Sequence, residues 1–323
     1  MSCVGKRKSI LVLSSILVVS LFVAVVQYTH DISSLLLQPY PGQDGILNMT
    51  RVFTHATINQ QPRELPGYVS VTTQQPLRLH CDRCSIVSSS GQMLGQKAGK
   101  LIDQSPCVWR MNNAPTLGFE SDVGTRTSVR VVSHTSVPFL QQRQQHYFGE
   151  ANETVYVIWG PYRNMRRDGK GATYNELQKL ARRFPHAKIY VTTEERMNYC
   201  DWIFKQETGK DRVLSGTYLS TGWFTLVLAM EVCPKIHIFG MINDTYCSLH
   251  RAGGRKKIPY HYYEAGSRDE CAEYTIHENA LYGGHRFITE KAIFAKWAKH
   301  HNITFSHPSS GLPDTGPQTQ RED

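Results

Sequence analysis

The 323-residue sequence lacks the short motifs that mark several kinds of catalytic site. It contains no Asp-x-Asp and no H-E-x-x-H, so the usual metal-dependent sites are not indicated and no metal is expected. It contains no G-x-S-x-G elbow and no Walker loop, which argues against a serine hydrolase and a P-loop nucleotidase. Internal repeats are also absent, and with 40% apolar residues the chain is expected to form one large domain with appendages.

A single-face basic stripe is missing as well, although the formal net charge is +9. The basic residues are scattered, apart from short runs such as Arg255, Lys256 and Lys257, so the pattern typical of nucleic-acid binders is not seen. The positive charge favours an anionic partner, which could be nucleic acid, anionic lipid or a negatively charged metabolite. Charge alone does not choose among these partners.

Residues 10–26 form an uninterrupted stretch without charge, directly after Lys6, Arg7 and Lys8. This pattern predicts an uncleaved membrane span with the N-terminus in the cytoplasm and the bulk of the protein in a lumen. A cleaved signal peptide is the alternative, but the run is long for one and no clear small-residue cleavage site follows it. The short apolar length suits the thinner membranes of the early secretory pathway. Four N-x-[ST] sequons follow the span, at Asn48, Asn152, Asn243 and Asn302.

Seven of the eight cysteines also follow the predicted span. In an oxidising lumen they are expected to form disulfides, and because seven is odd, at least one thiol is left over or pairs between chains. Cys81 and Cys84 form a C-x-x-C, which suits either half of a zinc site or structural disulfides, and no second C-x-x-C or spaced His pair supports zinc. The seven are Cys81, Cys84, Cys107, Cys200, Cys233, Cys247 and Cys271.

Composition divides the chain into segments around one domain. Residues 1–9 are the predicted cytoplasmic tail, and residues 27–66, rich in Gln, Pro, Thr and Gly without sustained periodicity, are a predicted lumenal stem. Residues 67–308 are the predicted globular domain. Residues 309–323 have no apolar face to bury and are expected to be a disordered tail.

Within the domain, short β-branched runs alternate with amphipathic runs. The alternation predicts a βαβ-rich, three-layer α/β fold, because strands separated by helices build parallel sheets covered on both faces. The predicted strands are 85–88, 107–111, 128–133, 155–159, 189–192 and 235–239. The predicted helices are 92–103, 174–184, 194–206, 221–231 and 289–301.

A glycine-rich turn follows the first predicted strand. Ser89, Ser90 and Gly91 come directly after residues 85–88, and such a turn can present backbone N–H groups to a phosphate. The glycines recur every four residues as far as Gly99, which does not match the G-x-G-x-x-G spacing of dinucleotide loops. A nucleotide site and a plain turn before a closely packed helix both fit this pattern.

Two further stretches place polar groups where an α/β sheet binds ligands. Asn112 ends the second predicted strand, and its amide suits a base, ribose or phosphate, although an Asn-rich turn is the simpler interpretation. Ser220, Thr221 and Gly222 open an apolar helix, whose free N–H groups suit a carboxylate or phosphate. Ordinary capping explains Ser220 equally well.

Two histidines lie near acids late in the chain, His261 in HYYE and His285 in HRFITE. Histidine can act as a general base near neutral pH, and a second, protonated histidine can stabilise a departing phosphate. Since the sequence has 14 histidines, a packing or surface role is the plain alternative for both.

Four stretches in this order, behind an N-terminal anchor, resemble the motifs of the animal sialyltransferases. The large sialylmotif is matched by CSIVSSSGQMLGQKAGKLIDQSPCVWRMNNAPTLGFESDVGTRTSVRVVSH and the small one by LSTGWFTLVLAMEVCPKIHIFGM. HYYE is similar to motif III and HRFITE to the very small H-x4-E motif. Within that family, GQMLGQ, YVIWGPYRNMRRDGKG, ETGKDR and GMINDTYC are similar to the α-N-acetylgalactosaminide α-2,6-sialyltransferases. The resemblance implies a Rossmann-like fold of the GT-A variant type and an inverting, metal-independent transfer of sialic acid.

The same resemblance implies a role for individual residues. His285 matches the general base that takes the proton of the acceptor 6-hydroxyl, and His261 matches the motif III histidine that contacts the departing CMP phosphate. Some relatives carry Asn in the turn that here contains Ser89 and Ser90. The implied binding set for CMP-sialic acid is Ser89, Ser90, Gly91, Asn112, Ser220, Thr221, Gly222 and Tyr262.

Disulfide pairing is also implied by the resemblance. Cys84 and Cys233 match the bridge that joins the large and small motifs. For the remaining cysteines, Cys81 with Cys107 and Cys247 with Cys271 are the expected pairs, which leaves Cys200 free.

The implied activity is transfer in α2,6 linkage to the GalNAc of sialyl-α2,3-Gal-β1,3-GalNAc, on gangliosides, O-glycoproteins or both. The expected partners are CMP-sialic acid, that acceptor and the Golgi membrane, without nucleic acid. A membrane-anchored, non-catalytic glycan-binding protein of the same fold is the alternative, and a dinucleotide oxidoreductase is disfavoured by the glycine spacing. After Pro308 the chain continues with Ser309 and Ser310, where relatives resemble one another in carrying His-Pro-x-Trp.

Overall fold

The computed structural model of the protein describes residues 62–149, 153–249 and 257–306. The chain divides into two units, Met1–Thr54 and His55–Asp323, and every described residue lies in the second. Within the described ranges no helix combines the length and the apolar character needed to cross a membrane.

Several predicted features lie outside the described residues. They are the cytoplasmic tail at 1–9, the membrane span at 10–26, the C-terminal tail at 309–323, and the sequons at Asn48 and Asn152. The predicted stem also lies outside them, up to residue 61.

A nine-stranded sheet forms the centre of the described domain, in the order β2-β1-β7-β6-β5-β4-β3-β8-β9. The seven strands from β3 to β9 run parallel to one another, whereas β1 runs antiparallel to both β2 and β7. The strands are β1 Arg63–Ser70, β2 Pro76–Leu79, β3 Cys84–Val87, β4 Cys107–Met111, β5 Val129–Ser133, β6 Val155–Trp159, β7 Lys188–Thr192, β8 Ile236–Phe239 and β9 Ile303–Ser306.

The strand order reverses at β3. From β3 the chain moves outward through β4, β5 and β6 to β7, and then returns to the other side of β3 with β8 and β9. Open parallel sheets bind their ligands at such a switch point, outside the carboxyl ends of the strands. A ligand site is therefore expected at the turns that follow β3, β4 and β8.

Ten α-helices accompany the strands in the described ranges. The best defined helices have explicit caps: Thr193, Ser220 and Asp269 each accept a backbone N–H two or three residues further on. The helices are α1 Gly99–Asp103, α2 Glu120–Val123, α3 Val137–Gln142, α4 Tyr162–Met165, α5 Ala172–Arg183, α6 Glu194–Thr208, α7 Thr221–Val232, α8 Tyr246–Leu249, α9 Glu270–Glu278 and α10 Phe287–Trp297.

Both faces of the sheet are covered, as the predicted three-layer fold requires. On one face, Tyr156 and Ile158 of β6 share a core cluster with Leu177 and Leu180 of α5. On the other face, Trp159 of β6 stacks on Phe224 of α7, with ring centroids 4.2 Å apart. Because side chains alternate along a strand, these contacts place α5 and α7 on opposite faces.

The six predicted strands are all present, shifted by at most one residue at an end. Sequence patterns missed three strands: the edge strands β2 and β9, and β1, which lies between β2 and β7. The predicted boundary between stem and domain, at residues 66 and 67, falls inside β1. The stem therefore ends earlier, because Leu65 is buried and pairs with Leu77.

The predicted helix at 92–103 is wrong. The chain instead forms a single 3₁₀ turn at Gly91–Met93 and then the short helix α1. Gly95 and Lys97 have φ angles of 78° and 53°, and both of their N–H groups donate to the carboxylate of Asp122. Left-handed residues end a right-handed helix, so this segment forms a loop tied to α2.

Three disulfides are present, and all three are the predicted pairs: Cys81–Cys107, Cys84–Cys233 and Cys247–Cys271. Cys84–Cys233 joins β3 to the residue that ends α7 and so links the two longest motifs. Cys200 is a free, buried thiol, as expected.

Candidate active site

The turn after β3 is held by the segment that carries His261. The N–H of Gly91 donates to the carbonyl of Pro259 at 3.0 Å, and the N–H of Tyr262 donates to the carbonyl of Ser89 at 2.9 Å. A Cβ atom on Gly91 would lie 2.4 Å from the Pro259 oxygen, so only glycine permits this approach. The two predicted site segments are therefore in direct contact.

Two of the predicted donor contacts in this turn already have protein partners. The Ser90 side chain is buried and accepts from the N–H of Gln92 at 3.0 Å, and the Gly91 N–H is used by Pro259. Ser89 is only partly buried and lies next to them. In this turn Ser89 is therefore the residue open to a ligand, while Ser90 and Gly91 shape the turn.

Asn112 follows β4 in a left-handed conformation, with φ 48°. Its Oδ1 accepts from the N–H of Ser133 at 2.9 Å and lies 3.4 Å from the hydroxyl of Thr221. Asn is one of the few residues that adopt this backbone conformation at low cost. Because Oδ1 is occupied, the NH₂ group of the amide remains as a donor for a ligand.

The start of α7 lies beside Asn112. The Thr221 hydroxyl lies between the Asn112 amide and the indole N–H of Trp159, which is 3.3 Å away. Ser220 caps the helix by accepting from Trp223, and both its N–H and its hydroxyl donate to the carboxylate of Glu290. Ser220 is therefore engaged within the protein, and the N–H groups that follow it lie at the positive end of a twelve-residue helix.

His285 is held by Tyr218, which lies two residues before the helix cap Ser220. It forms an isolated parallel bridge with Tyr218, and its Nδ1 lies 3.0 Å from the Tyr218 carbonyl oxygen. A carbonyl can only accept, so Nδ1 carries the proton and Nε2 keeps a free lone pair. Burial lowers the pKa of His285, and His277 contributes in the same direction, while bonds to the Tyr218 and Leu219 backbone oppose them. The ring is therefore a neutral base at pH 7.

His261 lies among aromatic rings. It stacks on Tyr263, with centroids 5.1 Å apart at an angle of 7°, and Tyr260 packs 4.3 Å away. Its Nδ1 is 2.9 Å from a carboxylate oxygen of Glu264, although the angle is not that of a hydrogen bond. The Glu264 carboxylate therefore lies beside the His261 ring.

Tyr262 lies deeper than the sequence suggested. Its side chain is 4% exposed, its hydroxyl donates to the Pro115 carbonyl, and Phe119 packs against its ring edge. Burial raises its pKa to about 12. Its hydroxyl therefore joins motif III to the loop after β4, and a role of Tyr262 in donor binding stays a prediction.

The structure thus brings the predicted residues to one edge of the sheet. Asn112 contacts Thr221 directly, and Ser89 contacts the backbone of Tyr262. His261 and His285 lie on either side of Tyr260 and Phe287, whose rings are 6.1 Å apart.

Three buried charges that sequence reasoning missed lie behind this edge. Glu290 holds Ser220, and Glu270 accepts from the Gln92 amide at 3.0 Å and from the Tyr274 hydroxyl at 2.7 Å. Lys291 lies 4.2 Å above the Tyr274 ring. Glu290 was visible only as the last residue of H-x4-E. The other two carry no local signal, since their partners are far away in sequence.

Burial shifts the ionisation of all three groups. It raises the pKa of Glu290 to about 7, raises the pKa of Glu270, and lowers the pKa of Lys291. Lys291 acts against the burial effect on both carboxylates. This cluster of Glu270, Glu290 and Lys291 connects the turn after β3 to the start of α7.

His134 is another residue that sequence reasoning did not single out. It follows β5 at the same edge, one residue after the Ser133 that donates to Asn112. Its ring packs edge-on against Trp159, and Gly160 approaches so closely that a Cβ there would lie 2.7 Å from the His134 Cβ. Burial and the nearby Arg163 lower its pKa, so this ring is also neutral at pH 7.

A pocket of about 400 Å³ lies further along, at the carboxyl ends of β6 and β7. Tyr162, Arg167 and Glu194 line it, together with Gly160, which connects it to His134. None of the predicted site residues lines this pocket, so it adjoins the candidate site without forming it.

Among the described residues, one group has metal-ligand spacing: the sulfur atoms of Cys81, Cys84 and Cys107 lie within 4.8 Å of one another. All three are disulfide-bonded, so none offers a thiolate. The C-x-x-C is therefore structural, as expected.

The chain is similar to known glycosyltransferases. The family described as glycosyltransferase family 29 (sialyltransferase) matches residues 38–302. Human alpha-N-acetylgalactosaminide alpha-2,6-sialyltransferase 3 is 57% identical over 309 residues, which cover 96% of this chain and 99% of that protein. This agrees with the resemblance noted in the sequence to the α-N-acetylgalactosaminide α-2,6-sialyltransferases.

A second human relative is alpha-N-acetyl-neuraminyl-2,3-beta-galactosyl-1,3-N-acetyl-galactosaminide alpha-2,6-sialyltransferase. It is 52% identical over 249 residues, which cover 77% of this chain and 82% of that protein. A crystal structure of a mammalian sialyltransferase is 18% identical, covers 80% of this chain and 84% of its own, and superposes with a TM-score of 0.44.

Proposed function

This chain belongs to glycosyltransferase family 29, the sialyltransferases, and we propose that it transfers sialic acid from CMP-sialic acid in α2,6 linkage to the GalNAc of sialyl-α2,3-Gal-β1,3-GalNAc. The acceptor glycan is carried by gangliosides, by O-glycoproteins or by both. The names of two relatives support the linkage, and one of them specifies the sialylated acceptor. The observation that carries the proposal is His285, a neutral ring with Nδ1 on the Tyr218 carbonyl and a free Nε2.

The proposed reaction is a single inverting displacement. The acceptor 6-oxygen attacks the anomeric carbon of sialic acid while the bond from that carbon to the CMP phosphate oxygen breaks. The proton of the 6-hydroxyl passes to His285 Nε2, and the bonding electrons leave with CMP. A base of this kind typically contributes a factor of about 10² to 10⁴ in rate.

The departing phosphate needs positive charge and N–H donors. His261 in its protonated form supplies charge, and the free N–H groups at the start of α7 lie at the positive end of that helix. The NH₂ group of Asn112 adds a donor to CMP. CMP is already a good leaving group, so we propose that these residues suffice without a metal ion.

We further propose that the protein is anchored in the Golgi membrane by residues 10–26, with its GT-A variant catalytic domain in the lumen. The uncharged N-terminal run and the sequons support this topology. Asn302 is exposed, and Asn243 is partly exposed and caps α8 through its Oδ1. Protection of the domain from protease in sealed vesicles, and a mass shift after glycosidase treatment, test the topology.

A panel of acceptors tests the function. The full chain in detergent is given CMP-sialic acid and matched glycolipid and glycopeptide acceptors, with and without the α2,3-linked sialic acid. Product is expected only with the presialylated acceptors, in α2,6 linkage to GalNAc. Absence of product and of CMP release from folded protein would instead support the non-catalytic glycan-binding alternative.

A base variant tests the chemistry. His285→Ala is expected to lower the rate by about 10² to 10⁴ while CMP binding persists. His186→Ala is the matched control, because His186 is exposed just before β7, at the opposite ends of the strands. If folded His285→Ala keeps full activity, His285 is not the base.

A further inference from the structure

We propose that His277 is a positioning residue for the base His285, and that its neutral form is required for full activity. The inference rests on the proposed role of His285. His277 lies in α9, outside the four motifs that identify the family. It touches none of the predicted donor-binding residues in the described structure and acts through His285.

The backbone of His285 is fixed by His277. The N–H of His285 donates to His277 Nδ1 at 3.2 Å. The two rings are stacked, with centroids 5.4 Å apart at 20°, and both pack against Phe287. His285 is therefore held from two sides, by the Tyr218 carbonyl on its ring and by His277 on its backbone.

The hydrogen bonds determine which nitrogen of His277 carries the proton. A backbone N–H can only donate, so His277 Nδ1 must be unprotonated when this bond exists. The proton of the neutral ring is then on Nε2, which lies 3.2 Å from the Glu273 carboxylate. The second oxygen of Glu273 is 2.7 Å from Arg268. Arg268, Glu273 and His277 thus form a chain that ends on the base.

Several charged groups surround His277. Glu273 and Glu278 lie on its own helix, and Arg268 precedes that helix. From the segment before α10, the Arg286 guanidinium donates to the carbonyl of His277 at 2.8 Å, and His285 lies against its ring. The His277 ring is thus fixed by the Glu273 carboxylate and by the backbone N–H of His285.

A second proton on His277 would disrupt the base. It would occupy Nδ1, remove the acceptor of the His285 N–H, and place a positive charge beside the ring that must accept a proton. Acid would then reduce activity twice, once by protonating His285 and once by releasing it. Loss of alignment at a reacting group costs up to about a hundredfold in rate.

The test is a pH profile of kcat/KM for the full chain and matched variants. His277→Gln offers an amide oxygen to the His285 N–H but does not titrate, whereas His277→Phe keeps a stacking ring without an acceptor. At pH 7.5 His277→Gln is expected within a few-fold of the natural enzyme, and His277→Phe roughly tenfold to a hundredfold lower in kcat, with the KM for CMP-sialic acid unchanged.

Acidification separates a positioning role from a structural one. At any pH acidic enough to protonate His277, the ratio of natural to His277→Gln activity is expected to be lower than at pH 7.5, because only the natural enzyme loses the acceptor. His186→Gln serves as the surface control, and the ratio of natural to His186→Gln activity should stay constant over the same pH range. Equal acid limbs for the natural and His277→Gln enzymes, or natural kcat in folded His277→Phe, would overturn the inference.

His285→Ala, measured in parallel, keeps the two ideas distinct. If it remains active, the proposed base is wrong. If it is inactive while the His277 variants behave like the natural enzyme, the base stands and only the positioning role fails.

Discussion

Asn112 combines a left-handed backbone conformation with a side-chain amide that is predicted to bind the donor. The left-handed conformation is tolerated by Asn and Gly but costs other residues about 1 to 2 kcal/mol. The carbonyl of Asn112 is also held by the buried Arg130 at 2.8 Å. The residue therefore has two separable roles, one in the turn and one in ligand binding.

A pair of substitutions separates these roles. Asn112→Gly keeps the conformation and removes the amide, whereas Asn112→Ala removes the amide and adds strain. Both are expected to raise the KM for CMP-sialic acid by about tenfold, because an NH₂ donor to a charged group is lost. Both variants lose the acceptor of the Ser133 N–H, and Asn112→Ala should have the lower melting temperature of the two because it also adds backbone strain. Unchanged KM in both variants would remove Asn112 from donor binding.

Lys291 is the cation in the buried cluster with Glu270 and Glu290. Lys291→Met leaves two buried carboxylates without that cation and is expected to cost about 3 to 5 kcal/mol at pH 8. The penalty should shrink towards pH 5. A carboxyl whose folded pKa is raised, as in Glu290 from 4.5 to about 7, contributes stability that is present below 4.5 and is lost as pH rises through 7.

Melting curves at pH 5, 6.5 and 8 check this expectation. Lys296→Met is the control, since Lys296 lies on the same helix and pairs with Glu207 at the surface, where such pairs contribute at most about 1 kcal/mol. A Lys291→Met deficit that is equal at all three pH values would contradict the buried-charge explanation.

At the residue scale, motif resemblance predicted the residues of a site, but it did not show which of their hydroxyls already have partners within the protein. Ser220 and Tyr262 were predicted to bind the donor, yet their hydroxyls are used by Glu290 and by the Pro115 carbonyl. Those partners are far away in sequence. No local pattern shows that a buried hydroxyl has already found a partner.

At the scale of elements, hydrogen bonds join the end of α9 to the start of α10 in both directions. Arg286, just before α10, donates to the carbonyls of His277, Glu278 and Ala280 that end α9. Glu278 in turn accepts from the N–H of Ile288 at the start of α10, at 2.8 Å. His285 lies between these two reciprocal caps, so the helix ends determine where the base is placed.

Arg286→Ala removes the cap of α9 and leaves three carbonyls without that donor. The substitution is expected to lower the free energy of unfolding by about 2 kcal/mol, because a hydrogen bond from a charged group that is partly exposed to solvent contributes about that amount or less. It should lower kcat more than the KM for CMP-sialic acid, because the base shifts while the donor turn does not. Lys299→Ala, an exposed change after α10, is the control. A natural melting temperature for Arg286→Ala would contradict this account.

Periodicity predicted α5, α6 and α7 to within about two residues, because long amphipathic or apolar runs with caps leave few alternatives. It failed at 92–103, where apolar spacing continued through a loop whose shape is set by Asp122. It also missed α9, whose cap at Asp269 lies in a run rich in charge. Local patterns are overridden where the deciding contact lies on another element.

At the scale of the whole molecule, β1 stabilises the antiparallel side of the sheet, where it pairs with β2 and β7. Arg196 of α6 is fully buried, pairs with Glu231 of α7 at 2.6 Å, and donates to the carbonyl of Pro66 at 2.6 Å. Its guanidinium also lies 4.4 Å above the ring of Tyr68. One side chain thus joins β1 to two helices of the domain.

A comparison of two starting points tests this role. A chain that begins at residue 62 keeps β1, whereas one that begins at Gly67, the boundary expected from sequence, loses the buried Leu65 and the Pro66 carbonyl. The shorter chain is expected to be less stable by about 3 kcal/mol or more, since a buried charged donor loses its partner. Equal melting temperatures would show that β1 before Gly67 is dispensable.

The layered α/β fold was predictable from the alternation of strands and helices, whereas the strand order was not. Six strands were located, but nothing local indicates that β3 pairs with β8 as well as β4, or that β1 turns antiparallel against β7. Those pairings are decided by which apolar faces meet after the chain folds. The edge strands β2 and β9 are also only four residues long, too short for a periodic signal.

The central position of β3 has a consequence for how the protein is made. Its two neighbours differ widely in sequence distance: Cys84 pairs with Cys107 on one side and with Ile236 on the other. Contacts between distant segments form slowly, because a long loop must close before they stabilise the structure. During synthesis β3 is made well before β8, its partner on one side. The strand β8 in turn pairs with β9 at Ile303–Ser306, which is made later still. The edge of the sheet that carries the candidate site is therefore complete only after β9 has paired, and variants that weaken β9 should reduce the yield of folded enzyme more than its specific activity.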